Sequence, residues 1–134
     1  MSNSPIPTEI KLRKQSRLLE IGFDDGNQFA FSFEFLRVYS PSAEVKGHGP
    51  GQETLQTGKR DVQITALEPV GHYAIQPYFS DGHNSGIYSW DYLYRLGMEQ
   101  EKLWREYGDK LEAAGFTRES GRDAPMQALK GGCG

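Results

Sequence analysis

A short pattern occurs twice in this chain, and it sets narrow limits on the fold. Residues 23–36 read FDDGNQFAFSFEFL, and residues 79–93 read FSDGHNSGIYSWDYL. Each stretch begins with phenylalanine, continues through Asp-Gly, and ends with serine, aromatic, acid, aromatic and leucine. Asp-Gly is typical of a tight turn, and a serine before a short helical stretch is a good N-cap. The repeat therefore predicts two copies of a turn, a strand and a capped short helix.

Alternation of apolar and polar residues predicts the strands around these two copies. EIKLRK and RLLEIGF precede the first Asp-Gly pair, and DVQITALEPV and HYAIQPYF precede the second. Asp25-Gly26 predicts a hairpin with a type I′ turn, which needs positive φ at both central residues. Pro77 predicts an edge strand or a bulge, because proline cannot donate to the strand ladder. A longer C-terminal helix is predicted from apolar residues on one helical face: Trp104, Tyr107, Leu111 and Ala114.

These elements together predict an α+β domain with a small antiparallel β-sheet, two short helices and a longer C-terminal helix. The 134 residues suffice for one domain with a single core. From the Pro-, Gly- and polar-rich ends we expect a flexible N-terminus at 1–8, one domain at 9–118 and a disordered tail at 119–134. Residues 40–60, with four glycines and two prolines, predict a long surface loop.

Composition argues against several kinds of partner. The net charge of −3 and the absence of a strong basic cluster argue against a nucleic-acid interface. No apolar run approaches the ~20 residues of a membrane span. The first residues, MSNSPIPTEI, lack the pattern of a secretory signal, and a single cysteine cannot form a disulfide within the chain. We therefore expect a cytoplasmic protein with a protein partner, present as a monomer or a weak dimer.

The three histidines are the first candidates for chemistry. His48, His72 and His83 each follow a glycine, and none has the spacing of a two-histidine, one-carboxylate iron site. Asp81-Gly82-His83 offers a carboxylate and an imidazole, so zinc or iron bound by His83 and Asp81 stays open beside a hydrogen-bonded histidine. The first copy has Asn27 where the second has His83, which indicates that Asp81 serves the turn.

The sequence favours a protein that is not an enzyme. Cys133 lies in the tail without a neighbouring base, and no Gly-x-Ser-x-Gly motif occurs. GHGPGQETLQTGKR lacks the Gly-Lys-Ser/Thr ending of a phosphate-binding loop. The dense aromatics include Tyr88, Trp90 and Tyr94, which either pack in the core or form an exposed docking patch.

Three stretches carry a resemblance to a known family. SRLLEIGFDDG, LRVYSPSAEVKGHG and LEPVGHYAIQPYFSDGHNSGIYSWDYLYRLG resemble the gamma-butyrobetaine hydroxylase-like N-terminal domain, over roughly residues 7–118. The resemblance implies a small α+β unit of unknown function in bacteria. It also implies a domain that occurs alone, fused to P-loop iron–sulfur cluster carriers, or ahead of the catalytic barrel of carnitine-pathway 2-oxoglutarate oxygenases.

The resemblance also bears on metal binding. In the oxygenases it implies a zinc module whose ligands are a Cys-x-Cys-x-x-Cys cluster and one histidine. Here Ser40, Ser42 and Val45 stand at the three cysteine positions, and His83 aligns with the histidine. Hydroxyls and a hydrocarbon do not replace thiolates, so we expect no zinc site of that kind and no cofactor.

Three functions follow as expectations. The first is a non-catalytic accessory or protein-interaction module, linked to iron–sulfur or metal-dependent proteins. The second is a metal-binding protein that uses His83 and nearby residues. The third is a small enzyme, or an enzyme-associated domain related to 2-oxoglutarate oxygenases.

Overall fold

The computed structural model describes residues 5–46 and 55–116, and it confirms the α+β class. Its helices and strands, in chain order, are β1 (Pro7–Arg13), β2 (Leu18–Phe23), β3 (Gln28–Ser32), α1 (Phe33–Val38), α2 (Ala43–Lys46), β4 (Ile64–Val70), β5 (Ala74–Phe79), β6 (Tyr88–Ser89), α3 (Trp90–Met98) and α4 (Gln100–Ala113). Among the described residues, no helix is both long and apolar enough to cross a bilayer.

The strands form two antiparallel sheets instead of one. Their strand orders are β1-β2-β3 and β4-β5-β6. The second sheet corrects the edge-strand prediction for Pro77, because β5 is its middle strand and Pro77 is fully buried. Strand β6 pairs only with Ala74 and Ile75, so the ladder on that side ends before the proline. Proline has no amide hydrogen to donate, but no residue of β6 pairs with Pro77, so the β5–β6 pairing has no gap there.

The two Asp-Gly turns have the same backbone geometry. The amide of Gly26 donates to the carbonyl of Phe23, and that of Gly82 donates to the carbonyl of Phe79, both at 3.0 Å. The φ angles of the two glycines are +90° and +89°. Asp25 has no positive φ, so the predicted type I′ turn is wrong. Each turn instead closes on a left-handed glycine, as in three-residue hairpin loops.

The capped helices predicted after each turn are also confirmed. The hydroxyl of Ser32 accepts a hydrogen bond from the amide of Phe35 at 3.0 Å. In the second copy, Ser89 accepts from the amide of Tyr92 at 3.1 Å. Each bond satisfies one of the amides that a helix start leaves without an intrahelical partner. The repeat therefore specifies helix starts as well as turns.

The structural repeat extends beyond the stretch in which the sequences match. Strand β1 has an irregularity after Pro7, and β4 has one after Ile64. The carbonyl of Ile6 accepts from Asp24 at 2.9 Å, and that of Gln63 accepts from Ser80 at 2.8 Å. These bonds lie at equivalent positions, so β1-β2-β3-α1 and β4-β5-β6-α3 are two versions of one unit.

The core lies where the two units meet. All six residues of α1 are buried, which makes this short helix the centre of the domain. The main cluster draws on both units: Leu19, Ile21, Phe23, Phe31, Phe33, Phe35, Leu36, Val62, Ile64, Ile75, Phe79, Tyr88, Leu93 and Leu96. Helix α4 adds Tyr107 and Leu111, which pack with Val38. The apolar face predicted for the C-terminal helix thus covers the end of α1.

Three predicted boundaries differ from the structure or lie outside it. Strand β1 begins at Pro7, inside the segment expected to be flexible. The predicted loop at 40–60 contains the single helical turn α2. Residues 47–54, which include His48, and the predicted tail at 119–134, which includes Cys133, lie outside the described residues.

Candidate functional site

The predicted ligand His83 lies on the loop between β5 and β6, against the segment that follows α1. Its side chain is buried, with 5% exposure. The Nε2 atom lies 2.8 Å from the hydroxyl of Ser40, at hydrogen-bonding distance. The ring also packs beside Phe79, with 6.0 Å between ring centroids. The histidine therefore connects this loop to the other half of the domain.

Ser40 and Ser42, at positions where the resemblance implies cysteine ligands, both face this loop. The hydroxyl of Ser40 is fully buried and also accepts a hydrogen bond from the amide of Ser42 at 3.2 Å. The hydroxyl of Ser42 lies 2.7 Å from that of Ser85. A Cβ added to Gly86 would lie 2.4 Å from the hydroxyl oxygen of Ser40. The extra glycine of the second copy therefore makes room for this serine.

Asp81 has an ionic role in addition to its role in the turn. Its Oδ2 atom lies 2.9 Å from Nε of Arg37 and 2.7 Å from Nζ of Lys59. Its Oδ1 atom accepts from the amide of His83 at 3.2 Å. Burial acts to raise the pKa of Asp81, but the Lys59 hydrogen bond and the Arg37 charge outweigh it and lower the pKa to about 2. The carboxylate thus joins α1 to the second unit.

A second contact joins the two units at the equivalent positions, this time from the helix of the second unit to the turn of the first. Arg37 follows the last leucine of the first copy, and Tyr94 follows the last leucine of the second. The hydroxyl of Tyr94 donates to Oδ2 of Asp25 at 2.6 Å, as Arg37 donates to Asp81. Each short helix therefore holds the Asp-Gly turn of the opposite unit. The Asp25 contact is exposed, whereas the Arg37 side chain is only 8% exposed.

The predicted binding aromatics occupy different environments. Tyr88 is fully buried, and its hydroxyl donates to the carbonyl of Leu36. Burial also raises the pKa of the Tyr88 hydroxyl, which keeps it neutral. Tyr88 cannot contact a partner in this conformation, which corrects its predicted binding role. Tyr94 is half-buried and packs edge-on against Phe23 and Phe29, with centroid distances of 5.1 and 5.6 Å.

Trp90 lies at the start of α3, beside the turn between β4 and β5. Its indole Nε1 donates to the carbonyl of His72 at 2.8 Å, and its amide donates to the carbonyl of Tyr73 at 3.0 Å. The indole is half-buried, whereas Tyr73 is 59% exposed. Ile87, immediately before β6, is 45% exposed. The part of the surface formed by Tyr73 and Trp90 is called the Trp90 surface below.

A groove of about 510 Å³ lies between α1, α2, α3 and α4. Its wall includes the ring of Tyr92, with the ammonium of Lys46 and the guanidinium of Arg95 at 4.9 and 5.6 Å from the ring centroid. Neither His83 nor Tyr88 lines this groove. The predicted metal ligand His83 and the predicted binding residue Tyr88 therefore lie apart from it, whereas Ser40 is part of its wall.

The residues at the positions where the resemblance implies zinc ligands do not fit a zinc centre. They supply one imidazole, two hydroxyls and the buried hydrocarbon of Val45, without an anionic sulfur ligand. Both oxygens of the Asp81 carboxylate already accept hydrogen bonds, and two cations contact one of them. Within residues 5–46 and 55–116, no three side chains of His, Cys, Asp or Glu come together as a metal-binding group.

Solved structures of similar proteins share this fold. One NMR solution structure is 41% identical, with a TM-score of 0.77, covering 92% of this chain and 95% of that chain. A second is 51% identical, with a TM-score of 0.75 and 88% coverage of both chains. A crystal structure of a DUF971-family protein of unknown function from Acidithiobacillus ferrooxidans is 43% identical. Its TM-score is 0.58, covering 68% of this chain and 91% of that one.

A family model confirms the resemblance found in the sequence. No curated protein matches the chain. The model described as gamma-butyrobetaine hydroxylase-like, N-terminal, matches residues 10–94, which include both Asp-Gly turns and all of β2 to β6. With more than half of its length matched, the chain belongs to the gamma-butyrobetaine hydroxylase-like N-terminal domain family.

Proposed function

We propose that this protein is a non-catalytic interaction module that binds a protein partner through the Trp90 surface. The observation that carries this function is the indole of Trp90, fixed by a hydrogen bond to the His72 carbonyl, on a residue whose amide bonds to the carbonyl of the exposed Tyr73. Tryptophan and tyrosine are enriched among residues that dominate binding energy at interfaces. The indole is held by its hydrogen bond to the His72 carbonyl, so it loses little conformational freedom on binding, which lowers the entropic cost of association.

The burial of the reactive side chains supports a non-catalytic role. Ser40 and His83 are within hydrogen-bonding distance, as a nucleophile and its base would be. However, Ser40 is fully buried and also accepts from a backbone amide, so a substrate carbonyl could not approach its oxygen. The pair is therefore suited to holding two chain segments together.

The family suggests the kind of partner. The resemblance implies that related domains occur fused to P-loop iron–sulfur cluster carriers, so an iron–sulfur or metal-dependent protein is the partner we propose. We also propose a cytoplasmic location, which the presence of a single cysteine supports.

Site-specific photo-crosslinking in cells tests this function. A benzoylphenylalanine placed at Tyr73 should give one dominant adduct with a protein, and Trp90→Ala in the same chain should abolish it. The matched control is the same crosslinker at Ile10, which is 39% exposed on β1. An adduct that forms equally from both positions, or that survives Trp90→Ala in a folded protein, would show that the Trp90 surface is not the binding site.

A further inference from the structure

We infer that two side-chain hydrogen bonds take the place of a metal ion in linking the segment after α1 to the loop before β6. The family resemblance implies that zinc joins these same positions in the oxygenases. In this chain, the hydroxyl of Ser40 lies 2.8 Å from Nε2 of His83, and the hydroxyl of Ser42 lies 2.7 Å from that of Ser85. The link is made entirely by protein side chains.

The two contacts form a regular pair of rungs. Ser40 and His83 are 43 positions apart, and so are Ser42 and Ser85. Both rungs therefore join the same two stretches of chain with the same sequence separation. On each stretch, the residues of the second rung lie two positions after those of the first. Such a repeated offset fixes the relative position of the two stretches along the chain, which a single contact would not do.

The Ser40–His83 rung is shielded from water, which strengthens it, whereas the Ser42–Ser85 rung is shielded only on the Ser42 side because Ser85 is exposed. Ser40 is 0% exposed, His83 is 5% exposed and Ser42 is 6% exposed. A hydrogen bond in such surroundings faces little competition from solvent, and loss of one partner leaves the other buried without its bond. Gly86 lies so close to the Ser40 hydroxyl that any larger residue there would displace it.

Val45 stands at the third position where the resemblance implies a cysteine ligand. Val45 is 6% exposed, and its amide donates to the carbonyl of Ser42 at 3.0 Å, which places it one turn further along the segment. A hydrocarbon at this position adds apolar burial where a thiolate would need a metal ion to neutralise its charge. The residues at these positions therefore form a neutral link that needs no metal ion.

Thermal unfolding with and without metal tests the exchange in the native chain. The melting temperature of the wild type should be the same in EDTA, in buffer and with equimolar zinc. Ser40→Ala should lower it by about 4 °C or more, equally in all three conditions. Ser16→Ala, in the exposed turn between β1 and β2, is the matched control and should leave it unchanged. A wild-type melting temperature that falls in EDTA, or a Ser40→Ala variant as stable as Ser16→Ala, overturns the inference.

A second experiment tests whether the bonds occupy the position of the metal. The triple variant Ser40→Cys, Ser42→Cys, Val45→Cys should bind cobalt(II) with the absorption bands of a tetrahedral thiolate site. Adding His83→Ala should weaken that binding at least tenfold. A folded triple variant that binds no cobalt contradicts the assignment of position. If the triple variant does not fold, the chelator series on the wild type still decides the inference.

Discussion

Replacement of Asp81 by asparagine should destabilise the protein at neutral pH and have less effect in acid. The carboxylate contacts Arg37 and Lys59, and its pKa is lowered from the ordinary value of 3.8 to about 2. At about 1.36 kcal/mol per pKa unit, this difference corresponds to about 2.4 kcal/mol of stability. Because 26% of the Asp81 side chain is exposed, screening by solvent reduces our expectation to about 1–2 kcal/mol.

The direction of the pH dependence follows from the sign of the pKa change. A carboxyl whose pKa is lower in the folded state stabilises the protein fully above its unfolded value of 3.8. That contribution falls as the pH drops towards 2, with roughly half of it lost by pH 3. The difference in unfolding free energy between wild type and Asp81→Asn should therefore shrink by about half between pH 7 and pH 3.

Urea unfolding followed by tryptophan fluorescence at pH 7, 5 and 3 measures this difference. Asp25→Asn is the matched control, because Asp25 occupies the equivalent turn of the first unit and its contact with Tyr94 is exposed. Both variants keep a side-chain oxygen that can accept from the turn amide. An equal loss for the two variants, or a loss for Asp81→Asn that does not change with pH, would refute the ionic role assigned to Asp81.

Two further pairs of substitutions test the packing and the repeat. Gly97→Ala should destabilise the protein by about 1–3 kcal/mol because the new methyl group would lie 2.4 Å from the ring of Phe29. Gly108→Ala, also inside a helix but with open space around it, should stabilise the protein by about 0.5–1 kcal/mol. Thermal unfolding measures both variants, and stability changes of the same sign for Gly97→Ala and Gly108→Ala would contradict this packing. Ser32→Ala and Ser89→Ala should each cost about 1 kcal/mol as lost N-caps, measured by urea unfolding. A loss at only one serine would mean that the two helix starts are not equivalent.

The parts of the fold that depend on neighbours in sequence could be predicted from the sequence. The Asp-Gly turns, the Ser32 and Ser89 caps and the apolar face of α4 each follow from a few consecutive residues. The type I′ prediction at Asp25-Gly26 failed because Asp-Gly also suits a turn in which only the glycine has positive φ. A dipeptide therefore located the turn but did not select its type.

The contacts between the two units could not be predicted in this way. Ser40 and His83 are polar residues in stretches read as loops, yet each is buried by the other unit. The reciprocal contacts of Arg37 and Tyr94 join residues 44 and 69 positions from their partners. The repeat contained a usable signal, because both residues follow the last leucine of their copy. Reading that signal requires knowing that the two copies face each other.

Comparison of the two units shows what determines the identity of His83. The amide of Asn27 donates to Asp25 at 3.0 Å, and the amide of His83 donates to Asp81 at 3.2 Å, so both residues make the same turn. The turn therefore accepts either residue, and what distinguishes His83 is the contact of its Nε2 atom with the hydroxyl of Ser40, in the segment after α1. His83→Asn should keep the turn and lose the link.

A double-mutant cycle with Ser40→Ala measures that link directly. Each single change removes the bond between Ser40 and His83, so the two losses should not add. We expect a coupling energy of about 0.5–3 kcal/mol from urea unfolding of the wild type, both single variants and the double variant. The matched cycle pairs His83→Asn with Ser16→Ala, which should show no coupling. Simple additivity of His83→Asn and Ser40→Ala would mean that the turn, and not the contact between the units, determines the histidine.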